Sequence, residues 1–459
     1  MRITKISVED LFDYYCYDIE LREHSPITIV HAPNGYGKST VLKLIRSVLS
    51  NTITEIVDVP FKRYTLYLDD GKDINIQKRT ENEDTREYTQ EVTISINQDG
   101  KMLESVNFNF SYDSLMFLKE EGIQEYIRRE EVRRRRHAMD SRNGDHEPYN
   151  LRKRFERLNY ALEDIRKTVQ VNYIDSNRLY AQDDAQNEDR LEYIREINRR
   201  HITESRMRGI EYGSFNGVNE NILRASHAIL QNIRDVRQKY SEESEKRDRT
   251  FPNRLIQAVN NQKQRVYSDD EIKKNLEEIE KKRSNLEKTG LIPQSKQIVQ
   301  TITSIDSTMR KFYTLYIDDT FKNLSTFDTI QEQLELFMDI INNRTSFSNK
   351  EMRIDIRRGV VFKRIQSKSG NHKLIPLEKL SSGEKHDFIL FYELIFKSNE
   401  NTVFLIDEPE ISLHVAWQMQ FVDMLDTICR ITGTQALIAT HSPDIVNGHD
   451  DLLVSLGDM

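Results

Sequence analysis

Cysteine is nearly absent from this chain. Cys16 and Cys429 are the only two in 459 residues. They stand in unrelated contexts, so they match neither a disulfide framework nor a thiolate metal spacing, and a reducing, cytoplasmic setting is expected. Glycine and proline are scarce too, at 16 and 9, which argues against a compact all-β protein. No run reaches the roughly 18 apolar residues needed to span a bilayer. The N-terminal MRITKISVEDLFDYY lacks the apolar core of a secretory signal. No membrane partner is expected. Positive charge is not in surplus either. A net charge of -8 argues against a protein that coats nucleic acid, though not against a local basic groove. What is abundant is charge of both signs, 31% against 37% hydrophobic residues. That composition suits a helix-rich chain of about two to four domains with long solvated surfaces.

The texture changes twice along the chain. Residues 1–115 read as one mixed α/β lobe. Ile3, Ile6 and Val8 begin a strand, and Pro26 to Val30 form a second that runs into a glycine turn. Val41, Leu42, Leu44, Ile45 and Val48 then recur at helical spacing. Alternating segments follow around Tyr64–Leu68, Ile74–Gln77, Val92–Ile96 and Val106–Phe110. Residues 116–345 read as a helical insertion of short antiparallel pairs. Helices are expected over 151–170, 185–208, 219–248 and 296–343, with a break at Phe251-Pro252 and a lone strand at 171–179. Ser268 and Glu271 make a capping box for a helix that ends at Gly290. The α/β texture returns over 346–459, with strands at Met352–Ile356 and Val360–Phe362.

Four short segments carry chemistry, and they lie at opposite ends of the chain. In Ala32–Thr40 (APNGYGKST), Gly35 and Gly37 let the backbone curl so that N–H groups at a helix start face phosphates. Asn34 lies in the same loop, Lys38 reaches the β- and γ-phosphates, and Ser39 with Thr40 beside it offers a hydroxyl to Mg²⁺. The usual first glycine is replaced by Ala32. In VFLIDEPE, four apolar residues make a buried parallel strand, with Asp407 emerging near Mg²⁺ and Glu408 next to it to polarise water. A carboxylate pair after such a strand also occurs as a plain helix cap. In LIATHSPD, His441 ends another apolar strand, where it can contact the γ-phosphate or merely close the strand. In LSSGEKH, Ser381, Ser382 and Gly383 precede an apolar helix, which is either a second anion site or a serine cap. One chain needs a single such site per nucleotide, so a second implies two protomers with ATP between them.

Together the four segments resemble the Walker A loop, the Walker B strand, the switch histidine and the signature of ABC-type ATPases in the SMC/Rad50/RecF/OLD superfamily, and SLHVAWQ resembles the D-loop region. The resemblance covers about 1–115 and 345–450. It implies an ABC-type P-loop ATPase head, a mixed α/β fold split by the helical insertion. It also implies ATP and Mg²⁺ as cofactors, head-to-head dimerisation and higher homo-oligomers. Ser381 to Gly383 would then act on the ATP of a second protomer. The signature departs from LSGGQ at Ser382 and Glu384. Gln77 and Gln124 are both candidates for the Q-loop.

SSGEKHDFILFYELIF, LIDEPEISLHVAWQ and ATHSPDIV are more specifically similar to OLD-like ATPases of anti-phage operons. These are the AriA type of PARIS systems and the PtuA type, which works with an HNH nuclease. VNYIDSNRL is similar to a strand of this group or is an ordinary strand and turn. The AriA resemblance implies slow, regulatory hydrolysis and an oligomeric scaffold. That scaffold holds a separate Toprim-type nuclease and releases it on a phage trigger, which can be a DNA mimic. Only Ser442 to Met459 follow the histidine, so a nuclease is expected on another chain. A repair ATPase of the SMC or RecF type is the alternative. The run Arg128–Arg136 either binds DNA or an acidic trigger, or is a solvated helix face.

Overall fold

The computed structural model describes residues 1–22, 24–50, 52–81, 89–140, 151–175, 217–260, 265–293, 306–355, 358–365 and 374–456. The helix expected over 185–208, the polar turn after Asp175, the first part of the 296–343 segment and Ile356 lie outside these residues. The chain forms two compact units, Met1–Ser176 with Lys397–Met459, and Asn177–Phe396.

The first unit holds two sheets. One contains five parallel strands in the order β14 (Leu453–Ser455), β3 (Ile27–His31), β13 (Gln435–Thr440), β12 (Thr402–Asp407) and β8 (Gln170–Ile174). Every residue of β12 and β13 is buried. A strand covered on both faces has no polar side, which is why VFLI and ALIA are continuous apolar runs. The register sets Val30 beside Ala439 and Ile406 beside Ile438, so the two ends of the chain meet at neighbouring strand tips. β8 pairs in parallel with β12. The segment expected as a lone strand is thus an edge strand of this sheet.

The other sheet is antiparallel. It runs β2 (Tyr15–Glu20), β1 (Ile3–Leu11), β4 (Arg63–Leu68), β5 (Lys72–Glu81), β6 (Thr89–Gln98) and β7 (Lys101–Ser111). β2 has no counterpart in the sequence reading, because the turn before it contains no glycine. Asp10, Phe12 and Asp13 take positive φ there instead, a conformation aspartate tolerates better than most residues. Lys78, 5% exposed, crosses from β5 to the end of the helix Ile53–Asp58. Its amine donates to the carbonyls of Ile56, Val57 and Val59 at 2.5, 3.0 and 2.5 Å. It also lies 4.2 Å from the centre of the Phe61 ring.

The second unit holds helices Gly217–Asn260, Asp269–Lys288, Ser307–Leu324, Asp328–Thr345 and Ser382–Phe396, and a small antiparallel sheet of β11 (Leu374–Ile375), β10 (Gly359–Arg364) and β9 (Lys350–Asp355). The expected capping box is present. Glu271 N–H donates to Ser268 Oγ at 3.3 Å, and Ser268 N–H to Glu271 Oε2 at 2.8 Å. Gly290 follows the helix with a φ of 73°. The expected break at Phe251-Pro252 does not occur, and the helix passes through Pro252. Proline leaves the Asp248 carbonyl without its helical donor, but this turn has other ties. Arg254 donates to the Arg247 carbonyl at 2.9 Å and to both oxygens of Asp319 at 2.7 Å.

Candidate functional site

The site begins where β3 ends. From Ala32 the chain turns through Gly35 and Gly37, with φ of 93° and 76°, into the helix Lys38–Leu49. Gly37 is required on two counts. Its φ is left-handed, and a Cβ there would sit 2.9 Å from Leu11 Cδ2. Ala32 is only 2% exposed. Asn34 and Gly35 are exposed at the loop, and Thr40 lies half-buried in the first helical turn. Lys38 is 5% exposed, and its amine donates to the Ala32 and Pro33 carbonyls at 2.7 and 2.9 Å. Burial pushes its pKa down, opposed by Glu408, Glu410 and Asp407.

Asp407, at the tip of β12, joins this loop. Ser39 Oγ donates to its Oδ1 at 2.9 Å, and the Tyr173 hydroxyl donates to its Oδ2 at 3.0 Å. Burial raises the Asp407 pKa, while Ser39 and Tyr173 pull against it. Two hard oxygens so close are the donor set Mg²⁺ takes alongside phosphate oxygens. Among the described residues no group of three His, Cys, Asp or Glu could hold a metal ion. Tyr173 was not singled out from the sequence. Its signal was an aromatic residue on a short strand before a polar turn, and only the pairing of β8 with β12 reveals its position.

Glu408 follows in left-handed backbone, with φ 46° and ψ 60°. For a glutamate that is strained. Its N–H donates to the Ala439 carbonyl at 2.9 Å, which holds it against the tip of β13. His441 Nδ1 lies 3.8 Å from Glu408 Oε1 and 3.1 Å from Glu410 Oε1. Glu410, which the sequence reading passed over, is 8% exposed. Its Oε1 also accepts from the Thr440 hydroxyl at 2.7 Å and from the His441 N–H at 3.1 Å. Its Oε2 is buried and has no partner among the described residues. Lys38, Ser39, Asp407, Glu408 and His441 are thus gathered at the carboxyl ends of β3, β12 and β13.

Ser381, Ser382 and Gly383 belong to the second unit, at the start of the helix Ser382–Phe396. Both serines are exposed. Gln77 is half-buried on β5, paired with Arg63 and Thr93. Gln124 is exposed on the helix Tyr112–Asp140, just past a kink at Gly122. No hydrogen bond of the described residues ties either glutamine to Lys38 or Asp407. Of the arginine run, Arg128 and Arg129 are exposed, and the side chains of Arg133 to Arg136 lie outside the described residues. No helix of the described residues is long and apolar enough to cross a membrane.

No curated protein matches the chain. Among solved structures, an Smc head domain with an extended coiled coil, bound to the C-terminal domain of ScpA and derived from Pyrococcus furiosus, is similar at 11% identity. The match covers 99% of this chain and 92% of that one, with a TM-score of 0.34. An Smc head domain with a coiled coil and joint from Pyrococcus yayanosii is similar at 12% identity. That match covers 99% and 94%, with a TM-score of 0.30. The phosphate loop, the Walker-type strand and the parallel sheet give the chain the mixed α/β architecture of a P-loop ATPase interrupted by a helical segment. Residues 1–446 match the AAA ATPase domain, AAA_15, and the chain belongs to that family.

Proposed function

We propose that the chain binds and hydrolyses ATP, with Lys38, Ser39, Asp407, Glu408 and His441 acting together in one protomer. The observation that carries this reading is the bond from Ser39 Oγ to Asp407 Oδ1, which joins the phosphate loop to the tip of β12 at 2.9 Å. Mg²⁺ held by Ser39 and Asp407 would neutralise charge on the β- and γ-phosphate oxygens. The helix start after Gly37 directs its N–H groups at the phosphates. Lys38 leaves the carbonyls of Ala32 and Pro33 to meet them. Glu408 accepts a proton from the attacking water. Glu410 Oε1, 3.1 Å from Nδ1, orients His441 so that Nε2 accepts a hydrogen bond from the attacking water beside the γ-phosphate. Ser381 to Gly383 serve the ATP of a second copy.

The same reading makes the chain the ATPase of an anti-phage system. It is an oligomeric sensor that restrains a nuclease on another chain and releases it on a phage trigger. The likeness of SSGEKHDFILFYELIF and ATHSPDIV to OLD-like defence ATPases supports this. Lys38→Ala should abolish ATP binding in a filter or fluorescence assay. Glu408→Gln should keep binding and lose turnover by about a hundredfold or more. Wild-type hydrolysis by Glu408→Gln would remove Glu408 from the proposed chemistry. For the defence role, the chain expressed with its genomic neighbour should lower phage plating. Protection that survives Lys38→Ala would count against an ATP-gated sensor.

A further inference from the structure

The signature turn carries a charge that its proposed task has to cancel. The helix Ser382–Phe396 is asked to receive a phosphate at its start, yet its first turn contains the carboxylate of Glu384. That carboxylate is folded back on the turn. Glu384 Oε2 accepts the Ser381 N–H at 2.8 Å, and Ser381 Oγ accepts the Glu384 N–H at 3.3 Å. This capping box shapes the turn but leaves a negative charge beside a place meant for anions. The charge is met from β9. Lys350 Nζ donates to both oxygens of Glu384, at 2.8 and 2.7 Å, and Ser348 Oγ donates to Oε1 at 2.6 Å. The two side chains are only 17% and 12% exposed, so solvent screens the pair weakly. A lysine at the start of β9 and a serine from the turn before it are thus spent on one signature residue.

We propose that Lys350 is a positioning residue for the signature: it neutralises Glu384 so that Ser381 to Gly383 can receive the γ-phosphate of ATP held by a second copy of the chain. The inference rests on the reading that the signature acts on a second copy. Without Lys350, the turn would meet the phosphate with a bare carboxylate. With glutamine at 384, the capping geometry survives through the amide oxygen and there is no charge to cancel. A pair that served only to clamp β9 to the helix would behave differently, since losing either partner would break the clamp.

The test is ATP-driven self-association of the full chain, carrying Glu408→Gln to hold ATP, by analytical ultracentrifugation. Lys350→Met should weaken association at least tenfold and leave ATP affinity of the single chain unchanged. Glu384→Gln alone should associate as tightly as the parent or more so, and Lys350→Met with Glu384→Gln should return to the parent value. Parent-like association by Lys350→Met would overturn the proposal, as would a Glu384→Gln defect as large as that of Lys350→Met. No ATP-dependent association in the parent would remove the second-copy reading and this inference with it. Association in the parent that ignores Lys350 removes this inference alone.

Discussion

Glu410 shows what a single carboxylate can do in a crowded site. One oxygen accepts from the Thr440 hydroxyl and the His441 N–H, and lies 3.1 Å from His441 Nδ1. A proton on Nδ1 of His441 fixes its tautomer and leaves Nε2 as the acceptor. Glu410→Gln keeps the volume but loses the charge, so His441 should be less firmly held. The expected result is a fall in kcat of roughly tenfold or more, with KM for ATP changed little. Nitrogen NMR of His441 should show a mixture of tautomers in place of one. A single unchanged tautomer would sink this role. At this scale the sequence was legible where chemistry is local. Gly37, Lys38, Ser39, Asp407, Glu408 and His441 each sit in a short motif whose residue types imply their neighbours. Tyr173 and Glu410 were not legible, because their partners come from other strands. Tyr173 sits opposite Leu405 in the register of β8 with β12, and no feature near 173 announces that.

Elements were legible where one face is buried or both are. The helix Lys38–Leu49, the buried strands β12 and β13, and the capping box at Ser268 follow from periodicity and caps. The misses share a cause, a local signal overridden by distant partners. Pro252 reads as a stop, but Arg254 and Asp319 hold the turn across to the helix Ser307–Leu324. The β1–β2 turn carries no glycine, yet Asp10 and Asp13 take positive φ. Lys78 is a similar case, a charged residue on a strand that proves to be a tie between elements. Lys78→Met would leave the carbonyls of Ile56, Val57 and Val59 buried without this donor. Roughly 2–4 kcal/mol of stability should be lost, read as an earlier denaturant midpoint. An unchanged midpoint would show that water replaces the amine. The clamp from β9 to the signature helix has a pH signature. Burial opposes ionisation of Glu384, but Lys350, Ser348 and the Ser381 N–H outweigh it and hold the carboxyl below its usual range. A lowered pKa stabilises the fold above the unfolded value of about 4.3 and is lost as pH falls through the folded value. Wild-type stability should therefore drop more steeply below about pH 4.3 than that of Glu384→Gln. Parallel acid profiles would contradict this.

For the whole molecule, the distribution of the motifs makes a prediction about mass. One unit holds the phosphate loop, Asp407, Glu408 and His441, and the other holds the signature. A nucleotide bound by Lys38 and Ser39 already has its cis partners at the tips of β12 and β13. The exposed serines at 381 and 382 then have a use if a second chain presents its own ATP to them. Association on this scheme is driven by a bound triphosphate and undone by its hydrolysis. The Glu408→Gln chain with ATP and Mg²⁺ should therefore move in light scattering from 54.3 kDa to an even multiple of that mass, and ADP should leave it unmoved. Lys38→Ala should stay at the smaller mass under all conditions. Serine at 382 gives a second handle, since a bulky charged replacement such as Ser382→Glu repels phosphate without touching the cis site. Ser382→Glu should bind ATP normally and fail to associate. If it associates as the parent does, the signature is not the surface on which two copies meet. Ser381 to Gly383 would then revert to a helix cap.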